Sequence, residues 1–439
     1  MAQRSRRSGR PRGLREAMVA LSFPDYRRFS ASLLLTSIGL QLIQVAVFWQ
    51  VYELTGSALL LGLTGLARAA PHMILSLMGG VIADRFNRVR LIQAGQAANG
   101  VIVVVLGVLT FTDSVAVWHL YAITILNSAF SAVTSPARTA LIPALVPREN
   151  LVNAVALNAT IGQTSQIVGP ALGGLAIDLV GLGPTYALNG LVYLAAMVVI
   201  VGIRTPGAQP AATTDSPWQS FLEGLAFVRK RQVIISLLLL DLGATVLGSY
   251  RALLPVFSEL LGVGATGYGL LSGAPGVGAV IGAAAILSLG DMPHKGWYTV
   301  GGVLGYCVGL MMLALAPWFW LALAGGAVLG ATNAIQMIPR NTVILAVSPD
   351  ALRGRVEAFR SMLAGGGPPL GYTLSGALAA AIGAPAALVA GGIACVGLVG
   401  WVTWRDPELR ERDLGALVDE EEPTVAGRAD GTSEAIRVG

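Results

Sequence analysis

The sequence predicts an all-α integral membrane protein, with twelve transmembrane helices in two pseudo-symmetric six-helix bundles. Three observations carry that prediction. Hydrophobic residues are 54% of the chain and charged residues only 12%, against about 25% charged in a soluble globular domain. Apolar runs of helical length, each near the ~20 residues that cross a bilayer, recur along the chain. Lys and Arg alternate between connections, abundant on one side and missing from the other.

In chain order, residues 1–29 are a basic tail that includes Arg4, Arg6, Arg7, Arg10, Arg12 and Arg15. Phe23-Pro24-Asp25-Tyr26-Arg27-Arg28-Phe29 reads as a short surface helix ahead of the first span. Spans are expected near 30–52, 57–82, 91–111, 116–138, 150–178 and 183–203, which form the first bundle, 30–203. The linker 204–232 follows, and its apolar residues from Trp218 to Phe227 fall at helical spacing before Arg229-Lys230-Arg231. This is the pattern of an amphipathic helix lying on a membrane surface. Spans near 233–258, 267–289, 297–316, 318–345, 355–381 and 384–404 form the second bundle, 233–404. The polar tail 405–439, with Glu420-Glu421-Glu422, lacks the apolar content of a packed segment and is expected to be disordered.

Charge sets the orientation. The connections after spans one, three, five, nine and eleven contain no Lys or Arg, whereas the first tail and the loops after spans two, four, six, eight and ten hold nearly all of them. Both termini are therefore expected in the cytoplasm, with the protein multi-pass in the inner cell membrane. The net charge of +5 does not point to nucleic acid, because the basic residues border apolar helices. Anionic lipid head groups are the expected partner.

Several function classes are disfavoured. A nucleotide-driven pump needs a P-loop lysine. The only lysines, Lys230 and Lys295, neither follow a Gly-rich loop nor precede Ser or Thr. The three histidines, His72, His119 and His294, stand apart, which argues against an enzyme or a metal site. Cys307 and Cys395 lie in apolar runs and suggest no disulfide framework. No cofactor is expected. What remains is an ion-driven transporter of small molecules or a membrane receptor or scaffold.

The halves also repeat weakly. A shift of 202 residues carries Arg138 onto Arg340 and Pro147 onto Pro349. Such duplication suits two bundles facing a central path.

Gly79-Gly80 to Arg90 concentrates the charges between two apolar runs. Its spacing, Gly80-x-x-x-Asp84-Arg85-x-x-Arg88-x-Arg90, resembles the loop between helices two and three of the major facilitator superfamily. Asn87 stands where that family usually has Gly, and Val89 replaces one basic position. Further stretches resemble the superfamily's drug and siderophore exporters, the enterobactin exporter and macrolide efflux branch. They are Phe23-Pro24-Asp25-Tyr26-Arg27, Val51-Tyr52-Glu53-Leu54-Thr55-Gly56-Ser57, Leu240-Asp241-Leu242 with Leu253-Leu254-Pro255-Val256-Phe257, and Pro349-Asp350-Ala351-Leu352-Arg353-Gly354-Arg355-Val356. The resemblance covers about residues 20–404. It implies a proton-driven exporter of drugs or siderophores working by alternating access, and a monomer is expected. Uptake of another solute through the same fold is the alternative.

The resemblance also implies that Asp84 sits against the start of the eleventh helix, at Arg353-Gly354-Arg355, when the inner gate closes. Arg138 and Arg340 lie toward the cytoplasmic ends of spans four and ten, as gate residues or lipid anchors. Ionisable groups at membrane depth usually face a cavity or a partner. Arg68, about eleven residues into span two, is either a cation on the central path or a structural partner. Asp241 is the one carboxylate well inside a span, with only leucines and a glycine beside it in sequence. It is read as a proton carrier, and the competing reading is a permanent ion pair with Arg68 or Arg340. Arg251 and Glu259 are read as structural, toward the outer end of span seven. The glycines of 262–282 and Gly365-Gly366-Gly367-Pro368-Pro369 are expected as packing and bending points.

Overall fold

The computed structural model describes residues 18–203, 222, 225–229, 231–289, 295–348 and 350–407. Among them every regular element is a helix. The basic tail before Met18, most of the linker and the tail after Pro407 lie outside the described residues, as do the side chains of Asp84 and Arg353.

The long helices are α1 (Pro24–Thr55), α2 (Ala58–Arg85), α3 (Arg88–Phe111), α4 (Val117–Leu145), α5 (Leu151–Val180) and α6 (Leu182–Ile200). The seventh is broken into α7a (Gln232–Leu242) and α7b (Leu254–Leu260). Then come α8 (Gly264–Leu289), α9 (Lys295–Ala314), α10 (Phe319–Val347), α11 (Asp350–Ile382) and α12 (Ala384–Arg405). With α7a and α7b counted as one span, nine spans are long and apolar enough to cross a membrane, among the described residues. The helices α4, α5 and α11 fill the remaining expected positions.

The start of α1 differs from expectation. Phe23 to Phe29 is not a separate surface helix: α1 runs unbroken from Pro24, after a 3-10 turn at Met18–Ser22. Proline suits the first helical turn, and Asp25 lies in that turn, where the helix dipole favours an acid. Tyr26 and Phe29, three residues apart, are both buried on one face. That burial ties the turn to the bundle rather than to a membrane surface.

Contacts group the chain into two units, Met1–Ala46 with Ile74–Ala212, and Val47–Met73 with Thr213–Gly439. In the first unit, Tyr26, Phe29, Val89, Ile92, Leu141 and Ile200 belong to one buried cluster. The Tyr26 hydroxyl donates to the Ala154 carbonyl at 2.7 Å, and Arg28 donates to the Gly202 carbonyl at 2.7 Å. Deeper, Gln96 donates to Ser32 Oγ at 2.8 Å and Thr36 Oγ1 at 2.9 Å, while Ser32 donates to the Ala196 carbonyl. This knot joins α1, α3 and α6. Gly39 permits a further tie, because Asn189 donates to its carbonyl at 3.1 Å. A Cβ on Gly39 would come within 2.7 Å of the Asn189 side-chain oxygen.

In the second unit small residues let backbones touch. A Cβ on Gly278 or Gly282 of α8 would strike the carbonyls of Ala327 and Ala331 on α10, and one on Gly330 would strike Pro275. Lipid offers no hydrophobic drive between helices, so such close contact and its dispersion energy hold them together. The first part of α2 is seated on α11 in the same way. Gly62 lies against Tyr372 and Gly376, and Thr373 donates to the Gly62 carbonyl at 3.0 Å. The glycines and prolines at 365–369 lie within the single helix α11. Gly365 abuts His72 and Gly366 abuts Met73, which makes them packing points.

Candidate functional site

Span seven is the irregular element of the second unit. Thr245 donates back to the Asp241 carbonyl at 2.8 Å, a bond that tends to bend a helix. The chain then widens into a π turn at Gly243–Leu247, where Gly248 N donates to the Gly243 carbonyl at 3.2 Å. Gly248–Tyr250 is not helical, a 3-10 turn follows at Arg251–Leu253, and Pro255 sits at the start of α7b. Non-helical backbone at membrane depth persists only where protein or a cavity covers it. Here protein does: Gly371 lies against the Thr245 carbonyl, Gly391 against that of Leu247, and Tyr306 donates to that of Gly248 at 3.1 Å. The sequence reading places one continuous span here, yet Gly248-Ser249 followed by Pro255 is an ordinary signal for a broken helix.

Two candidate residues meet just below the break. Asp241, on the last turn of α7a, forms an ion pair with Arg340 of α10. The Arg340 side chain is 5% exposed and that of Asp241 18%. Around them α10 presents Asn333, Gln336 and Asn341. Gln336 donates to Asn333 Oδ1 at 3.0 Å. Arg340 Nε and the side-chain oxygens of Gln336 and Asn341 are buried without a hydrogen-bond partner. The result is a polar seam containing a charge pair whose arginine is buried and whose acid is partly exposed, and its hydrogen bonds are not fully satisfied.

Above the break sits a cluster that the sequence reading assigned only a structural part. The guanidinium carbon of Arg251 lies 5.9 Å from the Tyr250 ring centre, and Tyr372, Tyr306 and Tyr268 are within electrostatic reach of its charge. Tyr250 and Tyr306 have ring centres 6.4 Å apart. Phe48 meets Tyr372 edge-on at 5.9 Å, and Trp49 stacks on Tyr268 at 5.9 Å. The Tyr52 hydroxyl hydrogen-bonds to Glu259. The 202-residue shift places Phe48 and Trp49 at the positions of Tyr250 and Arg251.

The other predicted residues are dispersed. Arg68 is half-buried on α2 near His72. Arg88, the first residue of α3, donates to the Ala140 carbonyl of α4 at 3.0 Å. Asn87 caps α3, its side chain accepting from Arg90 N at 3.1 Å, which accounts for Asn at that motif position. Arg85 and Arg90 are exposed, and Gly80 lies within α2. Arg138 is half-buried on α4 within reach of Tyr193 of α6. Arg355 is half-buried on α11. The expected partners Asp84 and Arg353 fall outside the described side chains. Among the described residues no group of three His, Cys, Asp or Glu is placed to hold a metal.

A family profile described as "Transmembrane secretion effector" matches residues 17–438. The chain belongs to this family of major facilitator transporters. It is 24% identical over 359 residues to "Enterobactin exporter EntS" of Shigella boydii serotype 4, covering 81% of this chain and 86% of that one. The protein of the same description from Escherichia coli O1:K1 is equally similar over the same shares. Among solved structures, the nucleoside transporter NupG matches with a TM-score of 0.69 at 12% identity, over 87% of this chain and 98% of that one. The D-xylose-proton symporter matches at 0.67 and 16%, over 89% and 99%. These likenesses show the fold. For this family member the ion pair, the broken span and the loop motif thus lie in a transporter.

Proposed function

We propose that the protein is a secondary active exporter in the inner cell membrane, driven by the proton gradient, that moves drug- or siderophore-like small molecules outward by alternating access. The observation that carries export is the 24% identity, over most of both chains, to proteins described as exporters of a siderophore. Asp241 is the coupling group. In the form described it is paired with Arg340, and protonation would discharge the acid and free the guanidinium. The unsatisfied neighbours on α10 suit a pair that changes partners. Arg68 lines the path, and the loop from Gly80 to Arg90 works with Arg138, Arg340, Arg353 and Arg355 at the cytoplasmic gate. The protein acts as a monomer with both termini in the cytoplasm, bordered by anionic lipid.

The test is accumulation of candidate drugs and siderophores in cells with and without the gene, each with and without an uncoupler. Lower accumulation with the gene, abolished by the uncoupler, is expected. Accumulation that rises with the gene would make the protein an importer instead.

A further inference from the structure

Asp241 has its counter-ion, and Glu259 has Tyr52. Arg251 is different. Among the described residues no carboxylate pairs with it, although it sits beside the break of a membrane span with all of α7b, roughly 10 Å of helix, still beyond it. A cation at such depth normally finds an acid or faces a ligand path. Its side chain hydrogen-bonds to the Tyr250 hydroxyl, and a guanidinium carries five donors in a fork that fits a two-oxygen anion. The residue is half-buried, packed among rings rather than open to solvent. The walls are aromatic: Tyr250, Tyr268, Tyr306 and Tyr372 are each more than nine-tenths buried, and Trp49 stacks on Tyr268. Ser249, 4% exposed in the non-helical stretch, leaves its hydroxyl without a partner.

We propose that Arg251 and the rings around it form a subsite for the anionic end of an aromatic ligand, an aryl carboxylate or a phenolate. The fork takes the negative oxygens, the tyrosine faces and edges take the ring, and the Ser249 hydroxyl supplies a further donor or acceptor. Aliphatic anions would gain the charge contact alone, and neutral aromatics the ring contact alone. That this ligand is the cargo rests on the transport reading; the binding itself does not.

The test uses the full chain in lipid nanodiscs with 2-naphthoate as probe, read by titration calorimetry and by tryptophan fluorescence. Cyclohexanecarboxylate keeps the charge without the ring, and 2-naphthylmethanol keeps the ring without the charge. Saturable naphthoate binding is expected, with each control weaker by about tenfold or more, and the loss of one good contact corresponds to that factor. Arg251→Gln should weaken naphthoate about tenfold and leave naphthylmethanol unchanged. Trp49→Phe should remove most of the fluorescence change. Should Arg251→Gln not yield monodisperse protein, Arg251→Lys, which keeps the charge but not the fork, should still weaken naphthoate several-fold. No naphthoate binding to the wild type, equal affinity for cyclohexanecarboxylate, or an unchanged affinity in the Arg251 variants would overturn the proposal. Intact naphthoate binding together with export that ignores the uncoupler would instead sink the proton-driven reading and leave the subsite standing.

Discussion

Replacing one member of the Asp241–Arg340 pair at a time separates its strength from its role. Losing a partner from a buried ion pair costs about 3–5 kcal/mol, because the other charge is left uncompensated. Asp241 keeps 18% exposure, and Asn in its place can still accept from the guanidinium, a bond worth about 1.5–3 kcal/mol. Asp241→Asn and Arg340→Gln should therefore each destabilise the protein by ~1–3 kcal/mol. The double variant, with two neutral amides, should lose no more than either single one. The coupling is then ~1–3 kcal/mol, or about five- to 150-fold in an equilibrium at 1.4 kcal/mol per tenfold. Denaturant titrations of purified variants, followed by fluorescence-detected size exclusion, measure that cycle. A coupling below ~0.5 kcal/mol would refute the ion-pair reasoning. Transport adds the second half of the answer. Asp241→Asn should abolish uphill export yet leave binding and downhill exchange intact. If the reversed pair, Asp241→Arg with Arg340→Asp, restores both folding and uphill export, Asp241 is a strut and the proton travels elsewhere.

Four further outcomes are expected. Cysteines introduced singly at positions 113 and 88 should label from outside only at 113; labelling at 88 alone would invert the whole topology. Gly282→Leu should drive its side chain into the Ala331 carbonyl and cut the yield of monodisperse protein sharply, whereas leucine at Gly301, which has open space around it, should not. Tyr26→Phe removes the donor to the buried Ala154 carbonyl and should cost ~1–3 kcal/mol in the same denaturant titration. Asp84→Asn should leave the protein folded and slow export at equal expression, since an acid at a helix start is worth ~0.3–2 kcal/mol; unchanged export would make Asp84 an ordinary loop residue.

Hydropathy was sufficient to place the long helices along the described chain, because lipid forces each span to satisfy its own backbone and to be apolar along its length. The same rule hid the break in span seven. Gly243 to Tyr250 is as apolar as a continuous helix, and what permits the break is the approach of Gly371 and Gly391 from helices more than a hundred residues later. Arg340 was legible as a partner type for Asp241, but not as the partner, since sequence spacing says nothing of which faces meet across a bundle. The repeat sharpened this only afterwards: the position matching Asp241 is Gly39, so Arg138 has no equivalent acid. Arg251 was read as a snorkelling cation because its distance from the span end was counted along an unbroken helix.

The glycine seam between α8 and α10 has a consequence for how the chain is made. Gly282 meets Ala331 about 50 residues later in the chain, which at synthesis rates of ~5–20 residues per second is a wait of roughly 3–10 s. During that time α8 is an apolar helix whose intended neighbour is not yet in the membrane. A seam of small residues offers lipid or a foreign helix a weak grip, since its attraction exists only when a matching backbone comes into contact. Residues that lock the finished transporter together therefore leave the half-made one uncommitted.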